Sequence, residues 1–294
     1  MGDTKVRRRH SALAAAVATV AMAVGFTALP AEAAPPRVDY VALGDSYTAG
    51  TGAGSFSQTS ACVQTAGGYV DLVGNTGRVS TVANYACHGA LLFDSESPVP
   101  SVGEQFGSAA ARLRGAELVS ITAGANDLGV GNILSFCLTQ PPEACAAEGV
   151  LSPADLYALK TALTATYQFI QLQAPEAKIA VFGYPRLFDS SVGFGHLSPE
   201  VLDALNHAAD ALNGTIALAV AESRVNAEFV DVTPRFLGHE VNSADPWIFF
   251  VPPTLQGDGS LSVDPRNFHP NPAGHRAYAS ALVAEVKPAQ LARR

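Results

Sequence analysis

The sequence has no surplus of basic residues: 18 lysines and arginines stand against 26 aspartates and glutamates, which gives a formal net charge of −8. This balance predicts an acidic surface, so nucleic acids and anionic membranes are not expected as partners. Motifs for binding a nucleotide or a metal are also missing. We therefore expect neither a cofactor nor a metal.

Linkers, internal repeats and low-complexity stretches are absent between residues 34 and 294. This length suits one large α/β domain or two small ones. Because nothing in the sequence marks an internal boundary, we expect a single domain over residues 34–294. We also expect a monomer.

The first 33 residues are typical of a signal peptide. Lys5 and Arg7 to Arg9 precede an uncharged apolar run, residues 12–29, and Ala31-Glu32-Ala33 forms a small-residue cleavage pattern. A membrane anchor is the alternative reading, but glycine and proline interrupt the run. We expect cleavage after Ala33, a secreted, extracellular protein and no stable membrane anchor, with the Sec and twin-arginine routes both open.

Cysteine is scarce, with 4 in the chain. An exported chain meets an oxidising environment, where an even number of cysteines favours disulfides. Of the three possible pairings, Cys62 with Cys87 and Cys137 with Cys145 is the most economical, because Cys137 and Cys145 flank a short loop. A zinc site is disfavoured because no Cys-x-x-Cys spacing occurs.

Short apolar, β-branched runs alternate with amphipathic segments along the chain. The runs predicted as buried strands are residues 38–43, 79–82, 118–122, 178–182 and 228–232. The predicted helices begin at Ser152-Pro153, Ser198-Pro199 and Asn271-Pro272, the last running to about Val286. This alternation predicts an α/β fold of three layers, α/β/α, with a central, mostly parallel sheet. Ligands bind such sheets at the carboxyl ends of the strands.

Ser46 follows the first predicted strand in a small-residue turn, Gly44 to Gly50, which suits an exposed nucleophile. An ordinary turn or helix cap has the same pattern. A serine hydroxyl also needs a base to take its proton, and His269, just before the last helix, is the candidate for this general base. A surface histidine is the alternative reading of His269.

Four short motifs stand in order along the chain. They are Gly44-Asp45-Ser46, Cys87-His88-Gly89-Ala90, Gly124-Ala125-Asn126-Asp127 and Phe268-His269-Pro270. Together they resemble the four blocks of the SGNH, or GDSL-type, hydrolase superfamily. The chain is most similar to its secreted actinobacterial esterases and lipases, which also have a pattern like Phe236-x-Gly238-His239 and Trp247. The resemblance implies the SGNH hydrolase fold and a serine esterase or lipase.

The resemblance also assigns three donors to the oxyanion that forms when Ser46 attacks an ester. They are the backbone N–H groups of Ser46 and Gly89 and the side-chain amide of Asn126. Such donors are commonly worth about 3–4 kcal/mol each. Taken alone, Gly89 is also typical of a turn and Asn126 of a helix cap.

The sequence departs from the family at the group that orients the histidine. The usual aspartate three residues before His269 is replaced by Arg266, while Asp264 lies five residues before it. Some similar actinobacterial members orient the histidine with the main-chain carbonyl of the residue three positions before it. We favour the Arg266 carbonyl and keep the Asp264 carboxylate as the alternative.

Several residues near these motifs are expected to have no direct part in the chemistry. Asp45 and Asp127 are expected to brace loops through hydrogen bonds. His239 and Trp247 either line the cleft or pack in the interior. His275 lies off the helical spacing that a second metal ligand would need.

The combined prediction is hydrolysis of a carboxylic ester through an acyl-enzyme on Ser46. Lipids, short-chain esters and acylated sugars all remain as substrates. Loops around Phe56, Leu91 and Phe194 are expected to set the acyl length. The alternatives are a silent carbohydrate-binding module on the same fold and an acyltransferase.

Overall fold

The computed structural model of the protein describes residues 37–57, 60–94, 96–148 and 151–291. The predicted signal peptide, residues 1–33, lies outside this range. Within the described residues no helix is long and apolar enough to cross a membrane.

A five-stranded parallel sheet forms the centre of the fold. Its strands are β1 (Val38–Gly44), β2 (Val79–Asn84), β3 (Leu118–Thr122), β4 (Lys178–Phe182) and β5 (Ala227–Val230), and their spatial order is β2-β1-β3-β4-β5. Every residue of β3 is buried, as expected for a strand covered on both faces. The predicted parallel sheet is therefore confirmed.

Helices cover the sheet in two groups. The helices are α1 (Tyr69–Gly74), α2 (Val102–Leu113), α3 (Val130–Thr139), α4 (Pro142–Glu148), α5 (Pro153–Gln173), α6 (Pro199–Ser223), α7 (Thr233–Phe236), α8 (Pro272–Val286) and α9 (Pro288–Leu291). In one group α5 packs against both α2 and α6, and in the other α1 packs against α8. This gives the three-layer α/β/α fold that the sequence predicts.

Capping side chains fix where the long helices begin. Ser152 accepts a hydrogen bond from the Asp155 backbone N–H at the start of α5. Asn271 does the same for Ala273 and Gly274 at the start of α8. Such caps satisfy N–H groups that have no partner inside the helix. The cap on α8 also fixes the end of the loop that carries His269.

The strand order creates a crevice between β1 and β3. From β1 the chain continues into β2 on one side and later into β3 on the other, so the loops after β1 and β3 leave the sheet apart from each other. Ligands bind at such a switch point in open α/β sheets. The register pairs Gly44 with Thr122, so both strands end at the same level.

The structure differs from the sequence prediction in the shorter elements. The last strand is Ala227–Val230 rather than residues 228–232, because the chain turns at Asp231 and enters α7 at Thr233. Six helices, α1 to α4, α7 and α9, and a small exposed hairpin, β6 (Thr254–Leu255) and β7 (Leu261–Ser262), are additional to the predicted elements among the described residues.

Two disulfides, Cys62–Cys87 and Cys137–Cys145, form in the pairing that the sequence favours. The first ties the loop after β2 to the segment before α1. The second joins α3 to α4. The first bond therefore fixes a loop close to the switch point of the sheet. The second fixes the end of α3, the helix that follows β3.

The two disulfides are expected to stabilise the fold unequally. They close segments of 25 and 8 residues, and loop-closure entropy then predicts about 3.5 and about 2.5 kcal/mol, respectively. The double variant Cys62→Ala/Cys87→Ala should thus have a lower free energy of unfolding in urea than Cys137→Ala/Cys145→Ala. Equal stability of the two variants would contradict the prediction.

Candidate active site

Gly44 brings the ends of β1 and β3 into contact. Its φ is +121°, and a Cβ at this position would lie 2.1 Å from the carbonyl oxygen of Thr122, so only glycine fits. The buried side chain of Gln105 accepts a hydrogen bond from the Gly44 N–H at 2.8 Å and donates one to its carbonyl at 2.9 Å. The turn that follows presents Ser46 at the edge of the sheet.

His269 lies within hydrogen-bond distance of Ser46. Its Nε2 is 2.7 Å from the Ser46 Oγ, while its Nδ1 is 3.0 Å from the carbonyl oxygen of Asn267 and 3.2 Å from that of Arg266. A carbonyl only accepts, so Nδ1 carries the proton and Nε2 accepts from the serine hydroxyl. The structure therefore brings together the two residues that the sequence singles out.

The loop that carries His269 is held by the residue next to Ser46. The Tyr47 hydroxyl donates to the Phe268 carbonyl at 2.7 Å. Phe268 has a φ of +65°, which non-glycine residues adopt only when their surroundings hold them there. Because Tyr47 adjoins Ser46 and Phe268 adjoins His269, this bond fixes the two segments against each other.

Among the described residues, the carboxylate of Asp264 bonds to Arg266 and makes no hydrogen bond to the imidazole of His269. Its carboxylate accepts bidentate hydrogen bonds from the Arg266 guanidinium at 2.7 and 3.0 Å and a third from the Arg266 backbone N–H. Within the described residues, the groups bonded to His269 Nδ1 are two main-chain carbonyls. The Arg266 carbonyl is the one favoured from the sequence, and the Asn267 carbonyl is an addition.

Three hydrogen-bond donors in the cavity of Ser46 are not used within the described protein. Within the described part of the chain, the backbone N–H groups of Ser46 and Gly89 donate no hydrogen bond to the protein. The Asn126 amide donates one hydrogen to the Ala90 carbonyl at 2.9 Å and keeps its second. Gly89 has a φ of +81° and open space where a Cβ would lie. All three residues line the same cavity as His269.

Comparisons with known proteins agree with this arrangement. Residues 42–277 match the model of the GDSL-like lipase/acylhydrolase family. The chain is 35% identical to a lipase of Streptomyces rimosus over 92% of this chain and 95% of that protein. The chain belongs to the GDSL-like lipase/acylhydrolase family. It is a carboxylic ester hydrolase, so the silent binding module is set aside.

Solved structures give the same result for the fold of this hydrolase. The extracellular lipase from Streptomyces rimosus superimposes with a TM-score of 0.69 at 32% identity, covering 84% of this chain and 99% of that one. Phospholipase A1 from Streptomyces albidoflavus NA297 gives a TM-score of 0.69 at 29% identity, covering 85% and 99%.

Asp45 braces the turn of the hydrolase that carries Ser46. Its buried carboxylate accepts from the Tyr47 N–H at 3.1 Å, from the Thr122 hydroxyl at 2.6 Å and from the Tyr184 hydroxyl. Burial raises the pKa of Asp45 to about 6, against the lowering effect of these donors. Thr122 and Tyr184 are not among the residues that the sequence analysis singled out.

Asp127 plays the corresponding part beside Asn126. Its Oδ1 accepts a hydrogen bond from the Leu92 N–H at 3.0 Å, and burial raises its pKa. This bond ties the loop after β3 to the segment that follows Gly89. The expected bracing arrangement is therefore present at both aspartates.

Two histidines near the reacting groups, the partly buried His269 and the fully buried His275, have lowered pKa values. Burial lowers the pKa of His269 from 6.5 to about 3, and the neighbouring imidazoles of His88 and His275 add to the shift. Burial also lowers the pKa of His275 to about 4. His275 accepts from the Tyr69 N–H at Nδ1 and donates from Nε2 to the Thr51 carbonyl at 3.0 Å. It thus has a structural role, joining α8 to the loop after β1.

Ser46 opens into a cavity of about 350 Å³. Apolar side chains from three segments form its wall. They are Val130, Ile133 and Leu134 of α3, Leu187 and Phe188 after β4, and Leu205, Ala208, Ala209 and Leu212 of α6. No group of three or more His, Cys, Asp or Glu residues in the described range has the arrangement of a metal site.

The cavity wall agrees only in part with the expectation from the sequence. The loops that carry Leu91 and Phe194 contribute to the lining, but Phe56, Leu91 and Phe194 are not themselves among the lining residues. Phe194 packs behind the wall, against Phe188 at a ring distance of 5.6 Å. Helix α3, which the sequence analysis did not identify, supplies another part of the wall.

His239 and Trp247 pack on each other rather than on the cavity. Their rings are stacked at 3.6 Å with an angle of 8°, and His239 Nδ1 lies 2.8 Å from the Asp245 carbonyl. Trp247 borders a separate surface pocket with Arg235 and Arg276. Neither of the two roles considered from sequence is present, because both rings are only half-buried and neither lines the cavity of Ser46.

His269 is expected to stay uncharged from about pH 8 to about pH 5, because its buried imidazole has a pKa far below that of a free histidine. NMR titration of the protein with isotope-labelled histidine measures this, and the variant His269→Gln assigns the signal. A transition of the His269 signal near pH 6.5 would contradict the prediction.

Proposed function

We propose that this hydrolase is a secreted serine esterase or lipase in which Ser46 is the nucleophile and His269 the general base. The single observation that carries the proposal is the 2.7 Å contact between His269 Nε2 and Ser46 Oγ, within a cavity that Gly89 and Asn126 also line. A nucleophile, its base and an oxyanion site are the parts that acyl transfer requires.

In the first half-reaction the Ser46 oxygen attacks the ester carbonyl carbon while its proton passes to His269 Nε2. The electron pair of the carbonyl moves onto its oxygen, which the N–H groups of Ser46 and Gly89 and the Asn126 amide stabilise. When the tetrahedral intermediate collapses, the bond to the alcohol breaks and the imidazolium protonates the leaving oxygen. The product is an acyl-Ser46 ester and a free alcohol.

In the second half-reaction water takes the place of the alcohol. His269 removes one proton from the water as it attacks the acyl carbon, and the same proton returns to the Ser46 oxygen when the acyl bond breaks. The carboxylic acid leaves and the enzyme is restored. Two carbonyl acceptors, those of Arg266 and Asn267, hold the Nδ1 proton and stabilise the transient imidazolium.

The acyl chain is proposed to bind against the apolar wall formed by α3 and α6. Each methylene group buried there is worth about 0.8 kcal/mol, or roughly fourfold in kcat/KM. A wall of this kind favours acyl chains longer than acetyl, up to the length that fills the cavity. The names of the relatives, lipase and phospholipase A1, agree with a lipid ester as substrate.

Secretion of the hydrolase has three lines of support. The pattern of residues 1–33 is that of a signal peptide. The structure contains two disulfides, which persist in oxidising compartments. A similar solved structure is that of an extracellular lipase.

Ser46→Ala is expected to lower kcat on p-nitrophenyl esters by at least about 10³-fold, because the covalent path is removed. The assay runs through acyl chains from acetate to palmitate, so that the same data give the chain-length profile. Ser108→Ala, on the exposed face of α2, is the matched control and should keep its activity. Full activity of the Ser46→Ala protein would overturn the proposed nucleophile.

Asp264→Asn is expected to change kcat by less than about threefold, because the carboxylate bonds to Arg266 and not to His269. In enzymes whose histidine is oriented by an aspartate, the same change lowers kcat by about 10⁴-fold. Steady-state kinetics on one p-nitrophenyl ester separate these outcomes. A loss of about 10³-fold or more would restore Asp264 as the orienting group.

A further inference from the structure

His88 is a second imidazole beside the reacting groups that the steps above do not use. Its half-buried side chain lines the cavity together with Ser46 and Gly89. Its ring centroid lies 5.4 Å from that of His269, and the edge of Phe56 packs against it at 5.0 Å. His88 therefore faces the place where a bound ester must react.

The hydrogen bond between His88 and Thr51 indicates which ring nitrogen carries the proton. Thr51 is fully buried, and its hydroxyl lies 3.0 Å from His88 Nδ1, its one hydrogen-bond partner among the described residues. A buried hydroxyl hydrogen left without an acceptor is costly. Thr51 thus donates to Nδ1, and the proton of the neutral imidazole is on Nε2, at the opposite side of the ring.

The charge state of His88 agrees with this assignment. Burial lowers its pKa, so the ring is neutral at neutral pH. Within the described residues, His88 Nε2 makes no hydrogen bond. An N–H donor that faces a substrate cavity and has no partner in the protein is available to a bound ligand.

The position of His88 indicates which part of the bound ester it contacts. The leaving oxygen must come within hydrogen-bond distance of His269 Nε2, since that group protonates it. The alcohol part of the ester therefore lies next to the imidazole of His269, where His88 is. The acyl chain has its own apolar wall on α3 and α6. His88 thus adjoins the alcohol and not the acyl chain.

We propose that His88 is a specificity-determining residue that donates its Nε2–H to an oxygen on the alcohol part of the ester. This inference rests on the proposed function of Ser46 and His269. The preferred substrates are esters of polyols such as glycerol, whose further hydroxyl or ester oxygens lie three or four bonds from the scissile oxygen. Simple alkyl esters offer no such acceptor.

A purely structural role for the His88 side chain is less well supported, because the backbone already holds its loop. The His88 N–H donates to the Val63 carbonyl at 3.1 Å, and the Cys87 N–H donates to the Gly44 carbonyl at 3.1 Å. The Cys62–Cys87 disulfide ends one residue before His88. The imidazole is therefore not needed to place the Gly89 N–H.

The test compares two butyrate esters with the same number of carbons in the alcohol, 1-monobutyrylglycerol and n-propyl butyrate. His88→Asn keeps an acceptor for Thr51 in the place of Nδ1 but removes the donor at Nε2. The ratio of kcat/KM for the glyceryl ester to that for the propyl ester should fall about tenfold in this variant. His88→Gln, whose longer side chain carries an amide N–H to the Nε2 position, should recover part of the ratio.

The controls keep this proposal separate from the proposed function. His207→Asn, on the exposed face of α6, should leave the ratio unchanged. If both esters lose activity equally in His88→Asn and the ratio stays constant, His88 has only a structural role and the proposal is overturned. Activity of Ser46→Ala on either ester would instead overturn the proposed nucleophile.

Discussion

The close approach of two strand ends at Gly44 is the constraint on which the site depends. With a Cβ position only 2.1 Å from the Thr122 carbonyl oxygen, Gly44 lets β1 end directly against β3. Ser46 and Asn126 follow these two strands, so their separation is set by the register of the sheet and not by flexible loops. Asp45 reinforces the contact because it bonds to Thr122 across the same gap. The proposed nucleophile and one proposed oxyanion donor thus share a rigid support, which the preorganisation of an active site requires.

The environment of the His269 imidazole determines both its charge state and its hydrogen-bond partners. Desolvation lowers the pKa of the ring from 6.5 to about 3, so the neutral base is the stable form at neutral pH. Two carbonyl dipoles fix its tautomer without a hydrogen bond from the ring to a charged group. The carboxylate of Asp264, which also lines the cavity, is paired with Arg266 instead. The transient imidazolium of the proposed mechanism then relies on dipoles, which act strongly where water is excluded.

The apolar runs of the sequence predicted the sheet, and the resemblance to four family motifs singled out Ser46, Gly89, Asn126 and His269, which the structure places in one cavity. Ser46, Gly89 and Asn126 come after apolar strands, and His269 precedes a helix whose Asn-Pro start is clear. The Asn267 carbonyl had no such signal, because any residue supplies a carbonyl and only the backbone path decides where it points. Tyr184 was missed for a related reason. Its hydroxyl reaches Asp45 from another strand end, and a long-range contact of this kind has no local spacing.

Different elements of the fold hold the different parts of the site. The sheet edge fixes Ser46 and Asn126, and the disulfide-bonded loop fixes Gly89 together with His88. The apolar wall comes from α3 and α6, whose side chains make no hydrogen bond to the reacting groups. In the proposed mechanism, substitutions in this wall change which acyl chain fits without moving the nucleophile, its base or the oxyanion donors. Acyl specificity can then vary independently of the chemistry, whereas the proposed contact to the alcohol cannot, because His88 adjoins Gly89 in the chain and His269 in space.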